Sequence, residues 1–380
     1  MRLILISDSH TKDNIEFIYQ YIKKKSLEWK PDLIIINGDL LGENEIRENY
    51  GFNYNRTIFL ASLNKEKIIS SIFSKYQELK KHKELYELGK NNDSSELEFS
   101  NLIKEYMVER YNYLFEILTK FSEIKKTLFN CGNYESPLQY NILKELAFLL
   151  EMDENYIRKI ALLSNYRDIF KEFLSKFKDN KKLKYIGALT SLEQDLIVAG
   201  IPGFNPSSLA IDKVSEFQEK TTEELIFTIK RQLGFANKLL LLNQTQGKLT
   251  KDPFTFRPQS KAVREFIEEL KTEKVKKYNI KQKIFLQSYH HFITTHFYFA
   301  SDFHFILNNS AVNNCLFNII DIGNKVECYD VDPKKDKIRK LKLYNYNLVD
   351  YNKPEERLNL NYEDPDLIIK ERNLYDCYYM

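Results

Sequence analysis

The sequence predicts an α/β fold in which parallel strands are joined by helices. Two short apolar segments, LILIS (residues 3–7) and LIII (residues 33–36), flank a segment over 14–25 whose apolar residues recur at helical spacing. Apolar strands joined by a helix are typical of a parallel sheet that is covered on both faces. Each strand is followed by polar residues, and ligands of open α/β sheets bind at the carboxyl ends of strands. We therefore expect one functional site beyond these strand ends.

The region between the second and third strands is predicted to be helical. It contains no proline between Pro31 and Pro137, and its apolar residues follow helical spacing from Phe99 to Phe121. We interpret residues 56–126 as a helical hairpin that is inserted into the fold and covers one side of the site.

The rest of the chain is predicted to return to the sheet, with helical stretches at about 138–178, 208–235 and 260–270 between the strands. KTLFNCGN (residues 126–133) is predicted to contain the third strand, and KLLLLN (238–243) and IFLQS (284–288) are two further buried strands. Three segments between 303 and 331 are predicted to form a closing antiparallel set. The last fifty residues, rich in lysine, asparagine and tyrosine, are predicted to be an extended tail.

These elements divide the chain into four predicted parts. They are the first part of the core (1–55), the helical insertion (56–126), the second part of the core (127–330) and a C-terminal extension (331–380).

Composition excludes several classes of protein. With 43% hydrophobic and 29% charged residues, the 380-residue chain can bury a large core. The net charge of +3 gives no strong nucleic-acid signal. The sequence has no apolar run near the roughly 18 residues that span a bilayer, and no signal peptide is recognisable. Its cysteines, Cys131, Cys315, Cys328 and Cys377, form no CxxC pair, which favours free thiols and a cytoplasmic location.

Glycine is scarce, which makes its positions informative. Two of the 11 glycines, Gly38 and Gly132, directly precede Asp39 and Asn133 at the ends of the second and third strands. Glycine adopts backbone conformations that other residues avoid, so we expect special backbone geometry at both positions.

Side chains that bind metals follow three strands in order. Asp8 and His10 come after the first strand, and residues two apart in an extended segment point the same way. Asp39 follows the second strand and Asn133 the third. Carboxylate, imidazole and amide groups are ligands of divalent cations. The sequence therefore predicts a metal site at the carboxyl edge of the sheet, where Asp39 could bridge two cations.

This ordered series resembles the motifs of the calcineurin-like metallophosphoesterase superfamily. DSH (8–10), GD (38–39) and GNYE (132–135) resemble the family's DxH, GD and GNH followed by Asp or Glu. KLLLLN (238–243) resembles the strand that ends in histidine, and IFLQSYHH (284–291) resembles the strand that precedes GHxH. The likeness is to the Icc-related predicted phosphoesterases in particular. It implies a four-layer α-β-β-α metallophosphoesterase sandwich with a helical hairpin insertion.

The resemblance implies one tight metal site. In the family pattern, one cation is held by residues that correspond here to Asp8, His10, Asp39 and His291. All four are intact, and together they form a pocket of net charge −2 with the ligand number normal for a dication such as manganese, zinc or iron.

The second metal position departs from the family pattern. By resemblance it would take Asp39, Asn133, Asn243 and Tyr289, so two of the usual imidazoles are missing. Tyr134 stands where the family has the histidine assigned to leaving-group protonation or transition-state stabilisation, which leaves Asn133 and Tyr134 as the catalytic candidates. Because a neutral amide is a poorer ligand than imidazole for first-row metals, we expect the second cation to be weak or absent.

Two alternative interpretations stay open at this point. In another register, His290 would be the strand-end histidine, and Asp302 and His304 would belong to the remnant of GHxH. Alternatively, Tyr134 and Tyr289 could be packing residues that replaced lost ligands.

The resemblance supports two functions of different classes. One is a metal-dependent phosphoesterase that hydrolyses a phosphomonoester or phosphodiester by metal-activated water, in an altered active site. The other is a catalytically impaired pseudoenzyme that serves as a binding or scaffold protein, as the metallophosphoesterase-fold subunit of the retromer coat does. The expected partners are a phosphoester substrate or another phosphate-bearing ligand and, through the helical insertion, a protein. No membrane is expected, and there is no strong nucleic-acid signal.

Overall fold

The fold is mixed α/β, as predicted. A computed structural model of the chain describes residues 1–9, 12–40, 93–132, 166–187, 190–202, 212–244, 248–249, 256–257, 261–271, 280–288, 295–300, 303–308 and 315–345, and the single residues 81, 83, 84, 86, 87, 135, 152, 153, 156 and 160.

The described strands form two seven-stranded sheets and one small ribbon. The strands are β1 (Arg2–Ile6), β2 (Leu33–Asn37), β3 (Thr127–Asn130), β4 (Leu183–Tyr185), β5 (Thr190–Glu193), β6 (Leu196–Ile201), β7 (Lys238–Asn243), β8 (Lys248–Leu249), β9 (Phe256–Arg257), β10 (Gln282–Ser288), β11 (His296–Ala300), β12 (Phe303–Asn308), β13 (Phe317–Ile322), β14 (Val326–Asp332), β15 (Lys337–Lys340) and β16 (Tyr344–Asn345). The first sheet has the order β15-β14-β13-β1-β2-β3-β4, the second has the order β16-β11-β12-β10-β7-β6-β5, and β8 pairs with β9.

Parallel pairing dominates the centre of both sheets. Strands β1 to β4 run parallel to one another in the first sheet, and β6, β7, β10 and β12 run parallel to one another in the second. The polar residues that the sequence analysis singled out stand at or just after the carboxyl ends of β1, β2, β3, β7 and β10.

The helices between the strands are amphipathic. They are α1 (Lys12–Trp29), α2 (Asp93–Ile124), α3 (Tyr166–Ser175), α4 (Asp212–Gln232) and α5 (Lys261–Lys271). In α1 the predicted stripe is buried at Ile15, Ile18, Tyr19 and Ile22, so the helical spacing marks the face that packs on the sheet. None of the helices in the described part of the chain has the length and apolar character that crossing a membrane requires.

Alternation along the strands separates two kinds of buried contact. In β7, Leu240 and Leu242 belong to a cluster that contains residues of both sheets, whereas Leu239 and Leu241 pack with α4 and α5. In the first sheet, α1, α2 and α3 pack on the face that Ile4 and its alternate neighbours present. Because successive side chains of a strand point to opposite faces, each central strand contributes to a helix-facing and a sheet-facing core. Each fully buried leucine contributes about 1.5–3 kcal/mol.

The predicted helical region corresponds in part to α2. The apolar stripe from Phe99 to Phe121 is buried in the same cluster as residues of β1, β2 and β3. The helix therefore packs directly on the first sheet. Residues 56–80 lie outside the described part, so the helical hairpin and the four-part division of the chain stay predictions.

Two expectations about the later strands are wrong. The predicted closing antiparallel set contains β13 and β14, which do pair antiparallel, but β12 lies in the other sheet and runs parallel to β10. The apolar pattern of β12 suits either neighbour, so it could not identify the partner strand. Part of the predicted extended tail is also sheet, because β15 pairs with β14 and β16 with β11.

A buried amide network joins the two sheets at their carboxyl edge. The Nδ2 of Asn37 donates to the Oγ of Ser288 at 2.7 Å and to the carbonyl of Asn243 at 3.3 Å. The Nδ2 of Asn130 donates to the Oδ1 of Asn37 at 2.8 Å and to the carbonyl of Ile201 at 2.9 Å. Two asparagines of the first sheet thus bind three strand ends of the second. Because unsatisfied buried polar groups are costly, these bonds set how the strand ends face one another.

The turns after β2 and β3 cross at two glycines. Gly38 has a φ of +73°, in the left-handed region, and a Cβ added there would overlap the backbone N and Cα of Gly132. The predicted special geometry at these two glycines is therefore present: one adopts a conformation that L-residues rarely take, and both lie where two backbones nearly touch.

Replacing Asn37 with alanine should destabilise the protein by about 3 kcal/mol. The change removes three buried hydrogen bonds, two that Asn37 donates and one that it accepts, and each lost bond costs about 0.5–1.5 kcal/mol. Urea unfolding would measure the loss. Asn112→Ala is the control, since the exposed Asn112 accepts a bond from Lys176 on the surface, and it should change stability by about 0.5 kcal/mol or less. An unchanged unfolding midpoint for Asn37→Ala would show that the amide network contributes little.

Replacing Gly38 with alanine should cost at least about 2 kcal/mol. A left-handed backbone costs an L-residue about 1–2 kcal/mol, and the overlap with Gly132 adds to this. Gly234→Ala is a matched control, because a Cβ added there meets nothing within 4 Å. Thermal unfolding should separate the two variants clearly, and equal melting temperatures would contradict this account of the turn.

Candidate metal site

Two buried aspartates follow neighbouring parallel strands. Asp8 comes after β1 and Asp39 after β2, and both are almost completely buried. Both have positive φ, 50° and 52°, and the backbone N of Asp8 donates to the carbonyl of Gly38 at 3.0 Å. Left-handed conformations in non-glycine residues are uncommon, and they cluster at functional sites. The sharp turns bring the two carboxylates to the same edge of the sheet.

Gln244 bridges these two carboxylates. Its Nε2 lies 3.2 Å from Oδ1 of Asp8 and 3.1 Å from Oδ2 of Asp39, so one neutral amide group donates to both. The side chain is only 4% exposed, and its Oε1 is buried without a hydrogen-bond partner among the described residues. Two buried carboxylates that share one donor repel each other, and a cation between them would lower that repulsion.

The described donors suit a hard dication. Asp8 and Asp39 supply two negative oxygens. Gln244 can supply an amide oxygen if its amide group rotates so that Oε1 and Nε2 exchange places. Carboxylate and carbonyl oxygens are ligands that manganese and similar cations prefer. The described residues contain no group of three or more His, Cys, Asp or Glu side chains placed to hold a metal.

Glu135 holds the turn that carries Asp39. Its Oε2 accepts from the backbone N of Asp39 and of Gly132, both at 2.8 Å, and its Oε1 accepts from the N of Leu40 at 2.7 Å. Its own backbone carbonyl accepts from the hydroxyl of Tyr111 in α2 at 2.8 Å. A carboxylate that accepts three backbone N–H groups is a strong anchor, since charge-assisted hydrogen bonds are roughly twice as strong as neutral ones.

Gly132 makes room for the carboxylate of Asp39. A Cβ added at Gly132 would overlap Oδ1 and Cγ of Asp39, so the carboxylate packs directly over the glycine backbone. The glycine before Asn133 therefore has a second role besides its crossing with Gly38: it shapes the edge of the site.

The neighbouring thiol is neutral. Burial raises the pKa of Cys131 well above its usual range, and the negative charges of Glu135 and Asp39 raise it further, against a hydrogen bond with Tyr185 that lowers it. Burial likewise raises the pKa of the Tyr185 phenol. Since the thiolate and not the thiol binds metals, this burial disfavours Cys131 as a ligand.

The strand-end amide that reaches the carboxylates is one residue beyond the predicted one. Asn243 is the last residue of β7, and its backbone carbonyl accepts from Asn37. Gln244 is an even number of residues beyond Leu240 and Leu242, which face the other sheet, so its side chain points to the same face. Sequence reasoning missed this residue. The alternation of β7, continued one residue past its end, was the signal that could have identified it.

The structure brings together only some of the predicted site residues. Asp8 and Asp39 meet as expected, and Asn243 lies at the same edge. Outside the described residues lie the other predicted ligands and catalytic candidates, together with two residues of the alternative register: His10, Asn133, Tyr134, Tyr289, His291, His290 and Asp302.

The alternative register fails at His304. This residue pairs with Ile284 near the start of β12 and β10, whereas the polar cluster lies beyond their carboxyl ends. Its ring contacts Phe297 and Phe299, with centroid distances of 6.0 and 4.9 Å. His304 is therefore not a ligand of this site.

Comparisons with known proteins return structural likenesses alone. No family model matches the chain, and no curated protein matches it.

Three solved structures illustrate the likeness. TT1561 of Thermus thermophilus is 10% identical, with 89% of this chain and 97% of that chain covered and a TM-score of 0.37. GAP50, described as the anchor in the inner membrane complex of Plasmodium, is 9% identical, with 90% and 88% covered and a TM-score of 0.39. A dimetal phosphatase from Danio rerio, LOC 393393, is 8% identical, with 87% and 95% covered and a TM-score of 0.38. Likenesses of this size carry no argument about the activity of this chain.

Proposed function

We propose that the chain is a metal-dependent phosphoesterase with an altered active site, built on the four-layer α-β-β-α sandwich of the calcineurin-like metallophosphoesterases. The observation that carries the proposal is the pair of buried carboxylates, Asp8 and Asp39, at adjacent parallel strand ends with one shared donor, Gln244. The three buried clusters, one between the sheets and one under the helices of each sheet, support the layered arrangement.

The proposed tight cation is held by Asp8 and Asp39, with His10 and His291 as the further ligands that the motifs predict. The amide oxygen of Gln244 is a fifth candidate, because it is buried without a partner among the described residues. A dication such as Mn²⁺, bound there, would lower the pKa of water and polarise a phosphoryl oxygen. The protein's own contribution is a rigid pocket, since Glu135 fixes the Asp39 turn through backbone N–H groups.

In this proposal the second metal position binds its cation weakly. Asn133, Asn243 and Tyr289 would contact a weakly bound cation or a phosphate oxygen of the substrate. Tyr134 would stand next to the leaving group, where a phenol can donate a proton or a hydrogen bond.

One observation favours a second candidate, the pseudoenzyme that binds or organises other proteins. The Nε2 of Gln244 provides partial positive charge between the two carboxylates, so it can replace part of the electrostatic role of a cation. In that case the helical insertion would be the binding surface for a protein partner. The two candidates differ in whether the natural chain binds metal tightly.

The natural chain should bind one Mn²⁺ tightly and gain thermal stability from it. Ligand at about 100 times its Kd contributes about 2.7 kcal/mol, which should raise the melting temperature by a few degrees. Asp8→Asn should abolish both binding in equilibrium dialysis and the thermal shift, because it removes one of the two negative oxygens. Asp179→Asn, on the exposed surface after α3, should keep both. Two equally tight cations, or an unchanged shift in Asp8→Asn, would contradict the proposed site.

Gln244→His should increase metal affinity at least tenfold, because imidazole is a better ligand than an amide for first-row metals. Hydrolysis of bis(p-nitrophenyl) phosphate should rise with it. Gln20→His, on the exposed face of α1, introduces the same side chain far from the site and should change neither quantity.

The same experiment separates the two candidates. Metal binding and slow turnover in the natural chain support the phosphoesterase. Metal binding that occurs only in Gln244→His supports the pseudoenzyme, and loss of affinity in that variant would show that Gln244 does not lie next to the cation.

A further inference from the structure

The molecule has a recess at the edge of the sheets opposite to the carboxylates. A cleft of about 820 Å³ lies beside the start of β10, the β13–β14 turn and the end of β15. Gln282 lines it, whereas Ser288, at the other end of the same strand, belongs to the amide network. Six residues of strand span about 20 Å, so the cleft is separate from the candidate metal site.

The cleft is strongly basic. Four lysines line it against one glutamate, a formal difference of +3; they are Lys281, Lys325, Lys340 and Lys342, with Glu327. Lys340 pairs with Glu327 at 2.6 Å, which neutralises the charge at that corner of the cleft. Lys281 and Lys325 are exposed, and they reach the cleft from two different segments, before β10 and in the β13–β14 turn. Lysines that converge from separate segments favour a ligand with more than one anionic group.

Aromatic rings form the apolar wall of the cleft. The imidazole of His304 is stacked with Phe297 at an interplanar angle of 23° and contacts Phe299. Burial lowers the pKa of His304, so at neutral pH its ring adds a flat surface and no charge. The Nδ1 of His304 and the Oε1 of Gln282 are buried without hydrogen-bond partners in the part of the chain that the structure describes. A flat ligand with polar edges would complement this wall.

We propose that the cleft binds a nucleoside diphosphate or triphosphate. Its volume falls in the range of roughly 300–1,000 Å³ that small-molecule and cofactor sites occupy. The lysines would contact the phosphate groups, and the base would lie against the rings of Phe299 and His304. This site is independent of the metal site and of the function proposed for it.

Isothermal titration of the full chain with ADP, in buffer that contains EDTA, tests the proposal. ADP should bind. Adenosine and pyrophosphate should each bind at least tenfold more weakly, because adenosine lacks the phosphate groups and pyrophosphate lacks the base. The double variant Lys281→Ala/Lys325→Ala should weaken ADP binding at least tenfold. Lys178→Ala/Lys181→Ala changes two exposed lysines elsewhere and should leave the affinity unchanged.

Three results would overturn the proposal. The first is no ADP binding by the full chain. The second is pyrophosphate binding as tight as that of ADP, which would show attraction to charge alone. The third is loss of ADP binding in Asp8→Asn with retention in Lys281→Ala/Lys325→Ala, which would place the nucleotide at the carboxylates. Phe299→Ala gives an independent check on the ring wall, since it should weaken ADP but leave pyrophosphate unaffected.

Discussion

The turn after β2 has to pass the turn after β3 at backbone distance, and the polar edge of the molecule depends on this contact. Only glycine at positions 38 and 132 permits it, because a Cβ on either residue would overlap the opposite turn. The approach places the carboxylate of Asp39 over Gly132 and brings both turns within reach of Glu135. One steric constraint thus sets the position of a candidate ligand and of the residue that anchors it.

The way in which the two sheets face one another depends on amide groups rather than on charged groups. Asn37 and Asn130 end their strands with side chains that point toward the other sheet, and they bond to groups at three of its strand ends. Hydrophobic contact between two sheets is non-directional, so it fixes their separation better than their register. Directional hydrogen bonds at the edge fix the register that the apolar cluster leaves open. Gln244 adds a further amide, which donates to the carboxylates of Asp8 and Asp39.

Sequence reasoning predicted the parts of the fold that depend on periodicity. The spacing of Ile15, Ile18 and Ile22 identified α1, and the ordered polar strand ends identified the edge where Asp8 and Asp39 meet. The pairing partners of the strands could not be predicted from periodicity, because the apolar pattern of β12 fits beside β10 as well as beside β13. The resemblance to a family motif predicted Asn243, whereas the alternation of side chains along β7 favours Gln244. A motif gives the strand end, but which side chain faces the site depends on a single residue of register.

The hydroxyl of Tyr111 joins α2 to the backbone of Glu135, and this bond has a mechanical consequence. Tyr111 lies 18 residues from the start of α2, so roughly 27 Å of helix extends beyond it. The apolar stripe from Phe99 to Phe121 buries this helix in the core on both sides of Tyr111. A helix held over that length gives the hydroxyl of Tyr111 a fixed position, and with it the backbone of Glu135. The N–H group of Asp39, which donates to Glu135, is therefore positioned by the helical layer as well as by its own turn.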